Sequence, residues 1–255
     1  MDFWEVLILA IVEGITEFLP VSSTGHLILT SKLLNIYQTE FVKTFEISIQ
    51  FGAILSIVFL YGNRLLKEKE VLKRVAWVFI PTAFLGFLFY AIIKNFLLGN
   101  LLITVWSLLI GGILIIILER YFKKKEGKLK IKNLTLKRSL VLGVIQAISV
   151  IPGVSRSGAT IFGGMFLGLS RKEATELSFM VALPVMAAAT IYDLSKNLQS
   201  FSSSEMNILL FGMIASFIAA VIAVKWLVSY IKTHDFTYFG IYRIILSIFF
   251  FLFWV

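Results

Sequence analysis

Three stretches of this chain, 75–93, 101–118 and 206–224, each run for 18 or 19 residues without a charged side chain. A helix rises about 1.5 Å per residue, and the hydrocarbon core of a bilayer is about 30 Å thick, so roughly 20 apolar residues cross it. The chain is 58% hydrophobic and 15% charged, against about 25% charge in a soluble domain. Too little polar surface is available to cover a soluble fold, and the bilayer is the natural solvent. The sequence therefore reads as an integral helical membrane protein. It has no cysteine, so disulfide and thiol chemistry are excluded. The start, MDFWEVLILAIVEG, carries Asp2 and Glu5 where a secretion signal needs positive charge. The net charge of +9 fits loop lysines that set orientation and meet anionic lipid, and no nucleic acid partner is expected.

Loop charge sets the expected topology. The segment 62–74 holds five Lys/Arg and 119–138 holds nine, whereas 95–100 and 197–207 hold none. The positive-inside rule makes the first two cytoplasmic. Six full crossings follow, at 44–61, 75–94, 101–118, 173–193, 208–230 and 238–255, with two further excursions and both termini outside. The first excursion contains EGITEFLPVSSTGH (13–26). The second, 139–170, breaks at IPGVSRSG around Arg156. Its arms of about 14 residues give roughly 20 Å of helix, too short to span. Backbone that turns at such depth must be buried in protein or line a wet cavity.

The halves also match. VSSTG (21–25) lies over VSRSG (154–158), and the same offset brings Glu13 over Gln146. With a shift of three, FEIS (45–48) meets TELS (175–178). One hairpin enters from outside and the other from inside, so their polar tips should meet near the midplane. The expected fold is all-α, with six transmembrane helices plus two re-entrant helical hairpins in an inverted-topology repeat. Residues 1–255 form one membrane domain, with repeats at approximately 1–118 and 139–255 joined by the basic cytoplasmic loop 119–138.

The polar residues inside this apolar frame carry the chemistry, because intramembrane ionisable groups are costly and functional by default. Glu13 and Glu17 are one helical turn apart on one face. Two such carboxylates need a shared proton or a cation between them, either Arg156 or a divalent metal. In PGVSRSGAT (152–160), Pro and Gly turn the chain, Arg156 projects from the tip, and Ser155, Ser157 and Thr160 add donors. The helix that follows points its N-terminus at the same place. Fork, hydroxyls and dipole together suit a phosphate, and Gly153, Ser155, Ser157, Gly158 and Thr160 are expected to bind substrate. In VSSTGH (21–26), Ser22, Ser23 and Thr24 can donate or attack. His26 lies within reach of Ser22 and Ser23 on a helix, the general form of an activated nucleophile. Glu46 and Gln50 form another polar pair one turn apart, lining the cavity or supporting the hairpin. Glu176, the repeat mate of Glu46, is expected near the cytoplasmic face and His234 at a surface helix end. Gly111-Gly112 and Gly163-Gly164 read as close helix contacts.

The segments VEGITEFLPVSSTGH (12–26), PGVSRSGAT (152–160), FEISIQFGAIL (45–55) and ELSFMVALPVM (176–186) closely resemble the undecaprenyl-diphosphate phosphatase family, linked to bacitracin resistance. The resemblance runs from end to end. It implies a phosphoanhydride hydrolase of the bacterial plasma membrane that removes the terminal phosphate of undecaprenyl diphosphate and recycles the carrier for peptidoglycan. It further implies an outward-facing site and a need for Mg²⁺ or Ca²⁺ at Glu13 and Glu17. Ser22, Ser23, His26 and Arg156 match the family's motif residues. The expected partners are a prenyl diphosphate lipid and membrane lipids, with a homodimer left open. In the mechanism expected here, Ser23 attacks the terminal phosphorus, His26 takes its proton, Arg156 holds the phosphate, and Glu17 assists. His26 as nucleophile, or direct attack by water, stays open. The rival function is an inverted-repeat transporter or flippase of a lipid phosphate or organic anion, and a third is a passive scaffold.

Overall fold

A computed structural model describes residues 1–89, 97, 100–123, 125, 127–197 and 202–254. The C-terminal end of the expected span 75–94, most of the loop 95–100 and residues 198–201 of the loop 197–207 lie outside the described residues. The rest is helical, with α1 Phe3–Thr16, α2 Ser23–Leu33, α3 Glu40–Lys67, α4 Lys69–Leu88, α5 Leu101–Phe122, α6 Leu136–Ala147, α7 Arg156–Phe166, α8 Arg171–Asn197, α9 Ser203–Tyr230 and α10 Thr237–Phe253. Four of these, α3, α4, α5 and α9, are long and apolar enough to cross a membrane, and α10 is a shorter apolar helix. Their outer faces carry exposed large hydrophobics such as Phe59, Phe84, Phe87, Ile117, Ile222 and Ile245. A soluble monomer does not display apolar surface on this scale. The polar groups are turned inward instead: Glu13, Glu17, Ser23, His26, Ser157 and Arg243 are all buried. The chain is a multi-pass membrane protein.

Sequence chemistry sets the helix ends. Asp2 starts α1 with a reciprocal cap: its side chain accepts from the Glu5 N–H at 2.8 Å while Glu5 accepts from the Asp2 N–H at 2.7 Å. Ser22 and Ser155 cap α2 and α7, accepting from Gly25 and Gly158. Both serines sit at positive φ, 73° and 81°, a conformation that costs a non-glycine residue of order 1–3 kcal/mol.

The two caps hold matching places. α1 and α6 begin 133 residues apart, and α2 and α7 begin and end at that same separation. α1 and α2 have 14 and 11 residues and α6 and α7 have 12 and 11, about 16–21 Å of helix each. Around these hairpins α1 packs along α9, α6 along α4, α3 between α8 and α9, and α5 along α10.

The basic segments gather at one end of the bundle. Arg74 donates to the Lys132 carbonyl at 3.1 Å, the Ile131 N–H to Glu173 at 2.8 Å, and Arg171 pairs with Glu119 at 2.6 Å. Arg64 joins Glu176 there. A cavity of about 670 Å³ opens among Arg64, Lys67, Lys130 and Lys132.

At the tip of the second hairpin Gly153 has φ +90°, and an added Cβ would lie 2.4 Å from the Thr104 carbonyl oxygen. Gly153→Ala is expected to destabilise the fold by about 2 kcal/mol or more, read as a drop in melting temperature in detergent. Gly86→Ala, with nothing within 4 Å of the new methyl, leaves that temperature unchanged or slightly raised.

Candidate active site

The short hairpins bring their tips together. Glu17 follows the last turn of α1, and Arg156 opens α7. Arg156 Nη2 donates to Glu17 Oε1 at 2.5 Å, and the Ser23 hydroxyl donates to the other oxygen of the same carboxylate. One buried acid thus joins the guanidinium of the second hairpin to the hydroxyl of the first. Arg156 Nη1 donates to the Ser178 carbonyl at 2.8 Å, and its guanidinium carbon lies 5.8 Å from the centre of the Phe18 ring. Ser157 ties the tips again, donating to the Leu19 carbonyl at 2.6 Å.

Several polar atoms here lack a matching donor or acceptor among the described residues. Both oxygens of Glu13, which is fully buried one turn before Glu17, accept no hydrogen bond from a described donor group. Arg156 Nε and Ser178 Oγ are likewise buried without one. Such groups cost free energy unless something satisfies them, so this is where a polar ligand belongs.

His26 lies beside this centre with different partners from those expected. Its Nδ1 is 2.8 Å from the Ser22 carbonyl oxygen and its Nε2 is 2.6 Å from the Tyr242 hydroxyl. The Ser23 hydroxyl points at Glu17, so the expected Ser23–His26 hydrogen bond is replaced by a Ser23–Glu17 one. The negative carboxylate is the stronger acceptor.

Other expected substrate contacts are used within the fold. Thr160 donates to Gln146 Oε1 and to the Arg156 carbonyl, both at 2.8 Å, and Gln146 donates onward to Thr82 at 3.1 Å. Ser22 and Ser155 are caps, Ser155 shares a 3.0 Å hydrogen bond with Ser157, and the Gly158 N–H is satisfied by Ser155. Each satisfies a backbone group or a neighbour that the turn leaves unpaired. Thr24 is half-buried in the first turn of α2. Glu46 accepts from Ser31 at 3.1 Å and Gln38 at 3.3 Å, so it braces α2 from α3, and Gln50 is half-buried one turn further along. Glu176 pairs with Arg64 at the basic end, and His234 meets Thr233 at an exposed turn.

The sequence reading passed over Arg243, in the apolar run of α10. It is 1% exposed and donates only to carbonyls: Leu108 at 3.2 Å, Ser107 at 2.9 Å, Pro20 at 3.2 Å, Val154 at 3.1 Å and Gly153 at 2.6 Å. Pro20 belongs to one tip and Gly153 and Val154 to the other, so Arg243 pins both tips to α5. Gly111 leaves room for it, since a Cβ there would come 2.0 Å from Nη2. A lone arginine in an apolar span was the available signal.

Helices that pair around two buried hairpins, with an acid–hydroxyl–guanidinium centre between their tips, define a multi-pass membrane protein with a buried polar site. The chain belongs to the bacitracin resistance protein BacA family, whose model matches residues 6–249. It is 52% identical to the undecaprenyl-diphosphatase of Aquifex aeolicus (strain VF5) over 248 residues, covering 97% of each chain. It is 50% identical to that of Sulfurihydrogenibium sp. (strain YO3AOP1), covering 99% of each. It is 42% identical to that of Thermus thermophilus, covering 96% of this chain and 94% of the relative.

Arg243→Lys offers three donors on a flexible stem to five carbonyls and leaves at least two of them unpaired. It is expected to lower stability by about 3 kcal/mol or more, at about 1–3 kcal/mol per buried group left unmatched. Ser247→Ala, which removes a single bond to the Val105 carbonyl, sets the scale of a small loss in the same thermal unfolding measurement.

Proposed function

We propose that this chain hydrolyses undecaprenyl diphosphate to undecaprenyl phosphate and inorganic phosphate, which recycles the lipid carrier for peptidoglycan synthesis and underlies bacitracin resistance. The observation that carries the reading is the contact of Arg156 with Glu17, with Ser23 on the same carboxylate. An anion-binding fork and a hydroxyl held by a base share one buried spot, in a chain whose full-length relatives are undecaprenyl-diphosphatases.

In this reading the prenyl tail lies among the apolar helices and the terminal phosphate at Arg156, whose Nε still lacks a partner. Ser23 Oγ attacks the terminal phosphorus and the P–O bond to the lipid phosphate breaks, leaving a phosphoserine. Glu17 receives the Ser23 proton, because the hydroxyl already donates to it. Water then attacks the phosphoserine and His26 takes a proton from that water; the Ser23 Oγ–P bond breaks, Ser23 regains its proton from Glu17, and phosphate leaves. Arg156 stabilises the charge that spreads over the transferring oxygens.

The acid pair fits a divalent cation. Glu13 has two buried oxygens without partners, and carboxylate oxygen is what Mg²⁺ or Ca²⁺ prefers. Among the described residues no three His, Cys, Asp or Glu side chains gather. Glu13, with Glu17 one turn away, would hold the ion. When bound, it neutralises charge on the diphosphate.

The fold reading is six full crossings with two re-entrant hairpins, as inverted repeats at approximately 1–118 and 139–255, in the bacterial plasma membrane with the site facing outward. Support comes from the 133-residue register of the hairpin helices, the paired serine caps at positive φ, and helices too short to span about 30 Å. The gathering of basic segments at one end supports the orientation. Cysteines placed at Asn100 and Gly127, in a chain that has none, are expected to react with a membrane-impermeant maleimide from opposite faces. Labelling of both from one face would overturn the topology.

Purified protein in detergent is expected to release phosphate from prenyl diphosphate, and to stop when EDTA is added. A transporter alone releases none, since detergent leaves no gradient to use. Arg156→Ala is expected to lower kcat/KM by about 10²–10³-fold, the scale of a lost transition-state donor. Unchanged turnover in Ser23→Ala would remove Ser23 as nucleophile.

A further inference from the structure

We propose that Tyr242 is the positioning residue that, opposite the Ser22 carbonyl, holds the His26 ring in the orientation in which its bare Nε2 serves as a base. The proposal rests on His26 serving the phosphoryl transfer described above. A carbonyl oxygen only accepts, so the 2.8 Å contact of Nδ1 with the Ser22 carbonyl puts the ring hydrogen on Nδ1. Nε2 is then the bare nitrogen, and the Tyr242 hydroxyl, 2.6 Å away, donates to it. The two rings also stack, 14° from parallel with centroids 5.5 Å apart. Partners on opposite edges of the imidazole leave one tautomer and one ring orientation.

Both anchors stand on rigid ground. The Ser22 carbonyl belongs to the strained cap of α2, at φ 73°. Tyr242 is next to Arg243, whose five carbonyl bonds fasten α10 to α5 and to both hairpin tips. A functional side chain held from two such points is preorganised before substrate arrives. Tyr242 is 44% exposed, whereas His26 is 7% exposed, so the phenol is the partner with room to give way when water approaches Nε2. Once Nε2 has taken a proton from that water, the phenol oxygen turns from donor to acceptor and holds the imidazolium N–H. The O–H bond of the attacking water breaks as its oxygen joins phosphorus, and the imidazolium then gives its proton to the departing phosphate.

The test uses the full-length protein in detergent, labelled with ¹⁵N-histidine in a His234→Gln background so that a single imidazole remains. The expected spectrum has one protonated nitrogen and one lone-pair nitrogen shifted by hydrogen bonding. Tyr242→Phe keeps the stacked ring and removes only the hydroxyl. It is expected to move the lone-pair resonance toward that of a free imidazole nitrogen. It is also expected to lower kcat by about ten- to a hundredfold, as loss of an orienting partner does at other functional imidazoles, with KM within about twofold. A packing role alone would make Tyr242→Phe silent and only Tyr242→Ala harmful. Unmodified protein that releases no phosphate overturns the reaction on which the role rests. Unmodified turnover in Tyr242→Phe, or an unmoved Nε2 resonance, overturns the role of Tyr242 and leaves the reaction standing.

Discussion

The hydrogen-bonded ion pair between Glu17 and Arg156 is the contact on which the centre of this molecule depends. Each group alone would be an uncompensated charge at the core of an apolar bundle. Removing one partner of a buried pair costs about 3–5 kcal/mol, much of it the penalty on the partner left behind. The pair is buried, with side chains 5% and 13% exposed, and its members come from different hairpins, 139 residues apart. A local helix contact could not supply this. Two chain reversals must meet tip to tip, and the surrounding helices serve to hold them there.

Chain reversals inside an apolar bundle leave backbone carbonyls without partners, and the structure answers this with side chains from outside the turns. Arg243 covers Pro20, Gly153 and Val154, and Ser157 covers Leu19. The guanidinium suits the task because its five donors are fixed in a plane and stay charged. The same contacts that settle the backbone bring Arg156 and Ser23 onto one carboxylate, so stability of the turns and geometry of the centre are one problem. Glu13 stands apart from this balance. Its two buried oxygens are among the groups that the described residues leave without a hydrogen-bond donor.

Much of this was legible in the residues. The charge-free runs 101–118 and 206–224 fall within α5 and α9, because apolar length alone dictates a long lipid-facing helix. The offset of 133 between VSSTG and VSRSG reappears in the helix boundaries, because a serine cap and a following glycine start a helix the same way twice. Placing a cation beside Glu17 needed only the expense of two acids side by side in an apolar segment, and Arg156 stands there. Hydrogen-bond direction was less accessible. Ser23 and His26 share a helix, which made a hydrogen bond between them reasonable, yet the carboxylate of Glu17 and the phenol of Tyr242 outcompete it from other elements. Thr160 lies within a phosphate-like motif but turns inward to Gln146, a choice set by packing against α6. Arg243 was visible as a charge in an oily helix, but the carbonyls that need it become apparent only once the turns exist.

Engineered cysteines give the most direct measurement of the central claim. A Cβ built on Gly158 lies 3.6 Å from the Cβ of Pro20, within the separation a disulfide spans, and the chain carries no cysteine of its own. If the tips of the two hairpins meet as described, the Pro20→Cys/Gly158→Cys protein should lose both of its maleimide-reactive thiols on mild oxidation and regain them on reduction. If both thiols stay reactive after oxidation, the tips are apart, and the joining of Glu17 to Arg156 is wrong.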